Sequence, residues 1–156
     1  TGTDSQGGEV LVSADFPVAA QATHLPPGTC TPSAQVACLL NGRFHVELTK
    51  WSDFFGNVGQ GSVNESFRFD NGAWYCFDGA TDAHPNNFDV YVEMADQCNA
   101  SGQFGFAMNA TTASGTTTDG FESTVIDLST NMRRTVTNPQ GEPADPLDVP
   151  DCFACP

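Results

Sequence analysis

Three histidines and an excess of carboxylates are the side chains of this chain that could move protons or hold a metal. His24 falls in a proline-rich stretch, His45 on the polar side of an alternating segment, and His84 in a loop before Pro85, so each reads as a surface group. No Gly-x-Ser-x-Gly, His-Glu-x-x-His or glycine-rich phosphate loop accompanies them. Paired acids can hydrolyse glycosides, but a chain with 19 Asp and Glu produces close pairs by chance. No catalytic residue is assigned, and the expectation is a protein that is not an enzyme.

Two other chemistries have candidates. The segment holding Asp78, Asp82, Asn86, Asn87 and Asp89 is rich in the hard oxygen ligands calcium prefers, without the spacing and closing Glu of an EF-hand. Asp78, Asp82 and Asp89 are therefore calcium candidates, set against a plain solvated loop, and no other cofactor is expected. Trp51, Trp74, Tyr75 and Tyr91 offer flat apolar faces on which sugar rings stack. Trp74 and Tyr75 are neighbours on one short strand whose two faces cannot both be open, so core packing is the stronger reading for them, and Trp51 is put forward as the platform candidate. Sequons at Asn64-Glu65-Ser66, Asn99-Ala100-Ser101 and Asn109-Ala110-Thr111 make Asn64, Asn99 and Asn109 glycosylation candidates. The Thr-rich run 111–118 is an alternative O-linked site.

Charge narrows the partners. With 19 acidic against 5 basic residues the formal net charge is -14, which repels phosphate backbones and anionic bilayers, so nucleic acid is excluded. No apolar run is long enough to span a membrane, and membrane insertion is not expected. Six cysteines, Cys30, Cys38, Cys76, Cys98, Cys152 and Cys155, without zinc-type spacing point to an oxidising compartment and to paired bridges. The localisation expected is secreted, extracellular or cell-surface, with Thr1 following a cleavage already made.

The elements that must position these groups are strands. Val10, Val12, Ala14 and Phe16 alternate in the first apolar segment, 9–16, which ends at Pro17 and passes into a proline-rich linker. Asn41-Gly42 is a hairpin signal, followed by Phe44, Val46 and Leu48 alternating against His45, Glu47 and Thr49. Further strands are expected at 63–69, with Val63, Phe67 and Phe69 in one phase, and at 73–78. Another at 88–95 places Phe88, Val90, Val92 and Met94 together, and the set closes with 103–109, 121–128 and 133–137. The Thr/Ser/Gly-rich stretch 111–120 reads as a surface loop, and the proline- and acid-rich end as an extended segment. The fold class is all-β: an antiparallel β-sandwich of about eight strands with extended N- and C-terminal segments, stapled by disulfides. Its organisation is an extension over 1–29, a sandwich over 30–138 and a tail over 139–156.

Cys30, the run Cys38-Leu39-Leu40-Asn41-Gly42-Arg43-Phe44-His45-Val46, Trp51, Gly72-Ala73-Trp74-Tyr75-Cys76-Phe77, Asp96-Gln97-Cys98, Gly102-Gln103-Phe104, Asn138-Pro139 and the terminal Phe153-Ala154-Cys155-Pro156 carry a family resemblance. In these positions the chain resembles a cysteine-containing β-sandwich domain found singly or repeated in secreted multi-domain proteins of environmental bacteria. The resemblance spans about 30–156, implies secretion and the sandwich, and carries no chemistry. The chain departs from it at Cys76, where the family has an aromatic residue, and at Cys152, which is additional. The departure implies that Cys76 pairs with Cys152, leaving Cys30, Cys38, Cys98 and Cys155 as the shared set. Six cysteines allow fifteen connectivities. The favoured one joins Cys30 to Cys155 and Cys38 to Cys98, closing loops worth roughly 4 kcal/mol each, and its rival joins Cys30 to Cys38.

The separated strand 9–16 suggests a use. A sandwich with an open edge can accept a strand from a neighbouring copy, with Val10, Val12, Ala14 and Phe16 filling its core, and such head-to-tail contacts build fibres. The leading expectation is an extracellular structural subunit that polymerises through copies of itself by donating this strand. The alternative is a monomeric carbohydrate- or surface-binding module whose partners are extracellular glycans.

Overall fold

The structure is a computed structural model that describes residues 29–77, 88–112 and 115–155. The donor strand 9–16, with Val10, Val12, Ala14 and Phe16, lies outside the described residues, as do Asp78 and Asp82. The period-two patterns become β1 (Val36–Leu39), β2 (Phe44–Ser52), β3 (Val58–Gly59), β4 (Gly61–Arg68), β5 (Gly72–Phe77) and β6 (Val90–Gln97). After a single helical turn, α1 (Cys98–Ser101), follow β7 (Gln103–Thr112), β8 (Gly115–Thr116), β9 (Gly120–Asp127), β10 (Met132–Asn138) and β11 (Leu147–Ala154). One antiparallel sheet has the order β1-β2-β9-β10 with β3 on β2, the other β11-β7-β6-β5-β4 with β8 on β7. The chain folds as the expected all-β sandwich.

Alternation decides which side chains enter the space between the sheets. From the first sheet come Leu39, Phe44, Val46, Leu48, Phe121 and Val125; from the second come Tyr75, Phe77, Val90, Val92, Met94 and Phe106. Burying each such side chain contributes about 1.5–3 kcal/mol. Contacts across the layers tie the sheets together. Phe44 meets Phe104 edge-on at 5.1 Å, and the Tyr75 hydroxyl donates to the Val46 carbonyl at 2.6 Å. At one end Asp127, fully buried on β9, accepts both Arg43 Nε and Nη2, at 3.0 and 2.8 Å, while the guanidinium lies 4.4 Å from the Phe104 ring centre.

The β1–β2 hairpin turns at Leu40-Asn41-Gly42, all three at positive φ, as the Asn-Gly pair requires. Elsewhere the strand phases differ from strict alternation, for one physical reason. An extra residue in one strand shifts its register, and a shift of one residue exchanges the two faces of a strand. In β2 the register against β9 shifts between Leu48 and Lys50, which turns Trp51 from the polar face into the core. A shift in β4 between Val63 and Arg68 leaves Phe67 and Phe69 largely outside. Phe88 precedes β6 instead of starting it, and packs on the outer face, not with Val90 and Val92.

Within the proline- and acid-rich end of the chain, Leu147–Ala154 forms β11, which pairs with β7 as an edge strand of the sandwich. Its register shifts between Val149 and Phe153, and Pro150 falls in that interval, where a missing N–H costs no ladder bond. The bridges are Cys30–Cys38, the rival pairing, and Cys98–Cys155, which together correct the favoured Cys30–Cys155 and Cys38–Cys98. Cys30 N–H donates to the Gly42 carbonyl, which brings Cys30 alongside the hairpin. Cys155 N–H donates to the Gly102 carbonyl, which brings the chain end to α1. Cys152 keeps its thiol, so the inferred bridge to Cys76 is not made. Cys152 points into the core from β11, whereas Cys76 sits on β5, with β6 and β7 between. Three strand spacings amount to roughly 14 Å, beyond the reach of a bridge. The two disulfides suit an oxidising, extracellular-type environment, and among the described residues no helix is long and apolar enough to cross a membrane.

Candidate functional site

The inward phase of β5 is Ala73, Tyr75 and Phe77, so Trp74 must face out; by the same rule Val90, Val92 and Met94 leave Tyr91, Glu93, Ala95 and Gln97 outside on β6. Antiparallel register sets Trp74 opposite Tyr91, and their ring centroids stand 5.1 Å apart with planes inclined at 39°. Phe88 packs edge-on against Trp74 at 5.2 Å and against Phe67 at 4.7 Å. Phe67 and Phe88 are 41% and 39% exposed, so the four rings form a continuous apolar patch reaching the surface instead of a closed core.

A glycine makes room for this arrangement. A Cβ on Gly72 would collide with the Tyr91 hydroxyl and the Val92 carbonyl. The Tyr91 ring therefore lies over the bare backbone of β5. Its hydroxyl bonds to Glu93, whose Oε1 also accepts Asn71 Nδ2 at 3.1 Å. Partial burial, and then the neighbouring Glu93 charge, raise the Tyr91 phenol above its ordinary range.

From Tyr91 a groove of about 470 Å³ runs across β6, β7 and β11. Ala95, Gly105 and Ala107 are the small groups along it, and Glu93, Gln97, Asn109 and Asp148 the polar ones. Register places Glu93 opposite Ala107 and Ala107 opposite Asp148. The two carboxylates thus flank one alanine, with backbones roughly 10 Å apart by two strand spacings. Flat rings at one end and hydrogen-bonding groups along a trough suit a ligand with apolar faces and a hydroxylated edge.

The residues expected from sequence distribute differently. Trp51, the platform candidate, is fully buried, stacked on Phe77 at 5.5 Å, with its indole N–H on the Gln60 carbonyl at 3.0 Å. It cannot present a face to a sugar, because the β2 bulge turned it inward. Tyr75 is also buried, and burial raises its phenol far above the usual range. Of the four aromatic candidates, Trp74 and Tyr91 are brought together on the surface. Asp89, the calcium candidate within the described residues, accepts the Phe77 N–H at 2.7 Å. Asn64 is buried with its Oδ1 on the Ser66 N–H, while Asn99 and Asn109 are exposed. His45 lies on the other sheet with Nε2 3.4 Å from Glu47. Asp96, Cys98 and Cys155 gather metal-type donors, but the two sulfurs are spent on their own bridge.

Sequence reasoning did not single out Glu93, Gln97, Asn109 and Asp148 as one site. The signal available was the shared phase of Tyr91, Glu93 and Gln97; their neighbours on β7 and β11 required the register. A second exposed apolar feature is the β2–β3 loop, where Phe54 and Phe55 are 82% and 79% exposed. Asp53 holds this loop by accepting the N–H groups of Phe55 and Asn57, both at 2.9 Å. Comparison with family models, with curated proteins and with solved structures finds no match for the chain.

Proposed function

We propose that this protein is a secreted, non-enzymatic β-sandwich module that binds carbohydrate chains on the outer face of its six-stranded sheet. The observation that carries the reading is the surface pair Trp74 and Tyr91 opening onto the groove past Glu93. A pyranose ring offers an apolar face to such rings and hydroxyls to the carboxylates and amides beyond. The reading keeps the glycan partner expected from sequence and moves its platform from Trp51 to Trp74. A glycan array probed with the purified protein tests it: binding to a set of oligosaccharides is expected, reduced at least tenfold by Trp74→Ala with the circular-dichroism spectrum unchanged. An array without signal, or full binding by the folded variant, overturns it.

Strand donation between copies is the second reading. What favours it is that β10 pairs only with β9 among the described residues, so one of its edges has no strand beside it. A strand from a neighbouring copy, with Val10, Val12, Ala14 and Phe16 inward, would add to such an edge and propagate a filament. Electron microscopy of the intact protein and of a form lacking 1–16 decides it. Fibres lost on deletion support donation, and single particles at high concentration in both remove it.

A further inference from the structure

The charge of the groove allows a narrower statement, which rests on the carbohydrate reading. The chain has five Lys and Arg residues in all, Arg43, Lys50, Arg68, Arg133 and Arg134. Arg43 is bound to Asp127, Arg68 to Glu65, and Arg134 to the Cys152 carbonyl. Lys50 and Arg133 belong to β2 and β10, in the opposite sheet. None of the five lines the groove, whereas Glu93 and Asp148 both do.

We infer that the groove selects glycans by charge: it takes chains bearing amino groups in preference to neutral chains of the same backbone, and rejects chains bearing carboxylates. A sugar seated on Trp74 and Tyr91 extends over Ala107 between Glu93 and Asp148. An ammonium group on that sugar gains a carboxylate partner from either wall, through charge-assisted hydrogen bonds. A uronate carboxylate meets two like charges with no cation to offset them, and its desolvation is uncompensated. A neutral chain keeps the stacking and the hydroxyl contacts alone. Gln97 and Asn109 serve all three kinds equally, so the discrimination falls on Glu93 and Asp148.

Titration calorimetry at low salt and mildly acidic pH, with short oligomers of glucosamine, N-acetylglucosamine and galacturonic acid of equal length, tests the inference. Short oligomers limit the general attraction of an acidic protein for polycations. The glucosamine oligomer is expected to bind roughly threefold to tenfold more tightly than the acetylated one, as two partly exposed ion pairs allow. The advantage should shrink with added salt, and the galacturonate oligomer should not bind. Glu93→Gln with Asp148→Asn should bring the glucosamine and N-acetylglucosamine oligomers to equal affinity, whatever both lose in hydroxyl contacts to the two side chains. A galacturonate oligomer that binds as well as the others, or a preference that survives both substitutions, overturns the inference while the carbohydrate reading stands. If no oligomer binds and the glycan array is also silent, the reading falls and the inference with it.

Discussion

Trp74 and Tyr91 face each other across β5 and β6 on the solvent side of the sheet, 5.1 Å between ring centres, with Gly72 leaving the space into which the Tyr91 hydroxyl reaches. Their contact contributes to stability as well as to the surface. A double-mutant cycle with Trp74→Ala and Tyr91→Ala, read by urea denaturation, should return a coupling of about 1 kcal/mol. Gly72→Ala forces the Tyr91 ring aside and should cost about 1–3 kcal/mol, together with weakened glycan binding. An unchanged melting curve and unchanged binding in that variant would show that the ring does not need the space.

Trp51 gives the contrasting outcome. It is enclosed between the sheets, so Trp51→Ala should destabilise the fold by about 3–5 kcal/mol, measured by urea denaturation. At temperatures where the variant stays folded, its glycan affinity should match that of the parent. Loss of binding without loss of stability would return the platform to Trp51.

The buried Arg43–Asp127 pair predicts a large penalty for removing one member. Asp127 also accepts the Ser129 N–H and the Thr130 hydroxyl, and these alone leave its charge uncompensated. Arg43→Ala should therefore cost about 3–5 kcal/mol, whereas Lys50→Ala, exposed on β2, should change stability by less than about 0.5 kcal/mol.

The cysteines yield two measurements. Non-reducing peptide mapping should recover Cys30 joined to Cys38 and Cys98 joined to Cys155. Removing the second bridge, with a sequence separation of 57, should cost about 4 kcal/mol, and removing the first, with a separation of 8, about 2.5 kcal/mol.

Burial pushes the Cys152 thiol up to about 11 from an ordinary value of 9.0, against the opposing influence of Arg134. The folded state therefore holds this proton more tightly than the unfolded chain. Its contribution to stability is complete below pH 9 and is lost as the pH rises from 9 through 11, by on the order of 2 kcal/mol. Urea melts across that range should show a shallower decline in Cys152→Ala than in the parent. An equal decline would place the titration elsewhere, as at Tyr75, whose phenol is also raised.

Local pattern made most strands legible. Val46 and Leu48 on β2, or Val90, Val92 and Met94 on β6, repeat with period two, and this alone requires a strand with one buried face. The Asn41-Gly42 turn was readable for the same reason, since its positive φ values are a property of those residues. Composition gave the net charge of -14 and pointed to disulfides, of which the structure makes two and leaves Cys152 a thiol. β11 was hidden because Pro146 and Pro150 look like an extended tail, and an edge strand tolerates what an inner strand does not.

What the chain could not announce is where alternation breaks. Trp51 and Phe67 carry no local mark of the bulges that exchange their faces, because a bulge is a mismatch between two strands, and Trp51 meets its partner Phe121 from 70 residues further along the chain. The same holds for the pairing of Cys98 with Cys155 and for the row Glu93, Ala107, Asp148, each drawn from a different strand. The residue types and their periodicity were written in the sequence. Register between strands is a tertiary property, since it minimises the free energy of two surfaces at once, and it alone chose which aromatic residues reach the solvent.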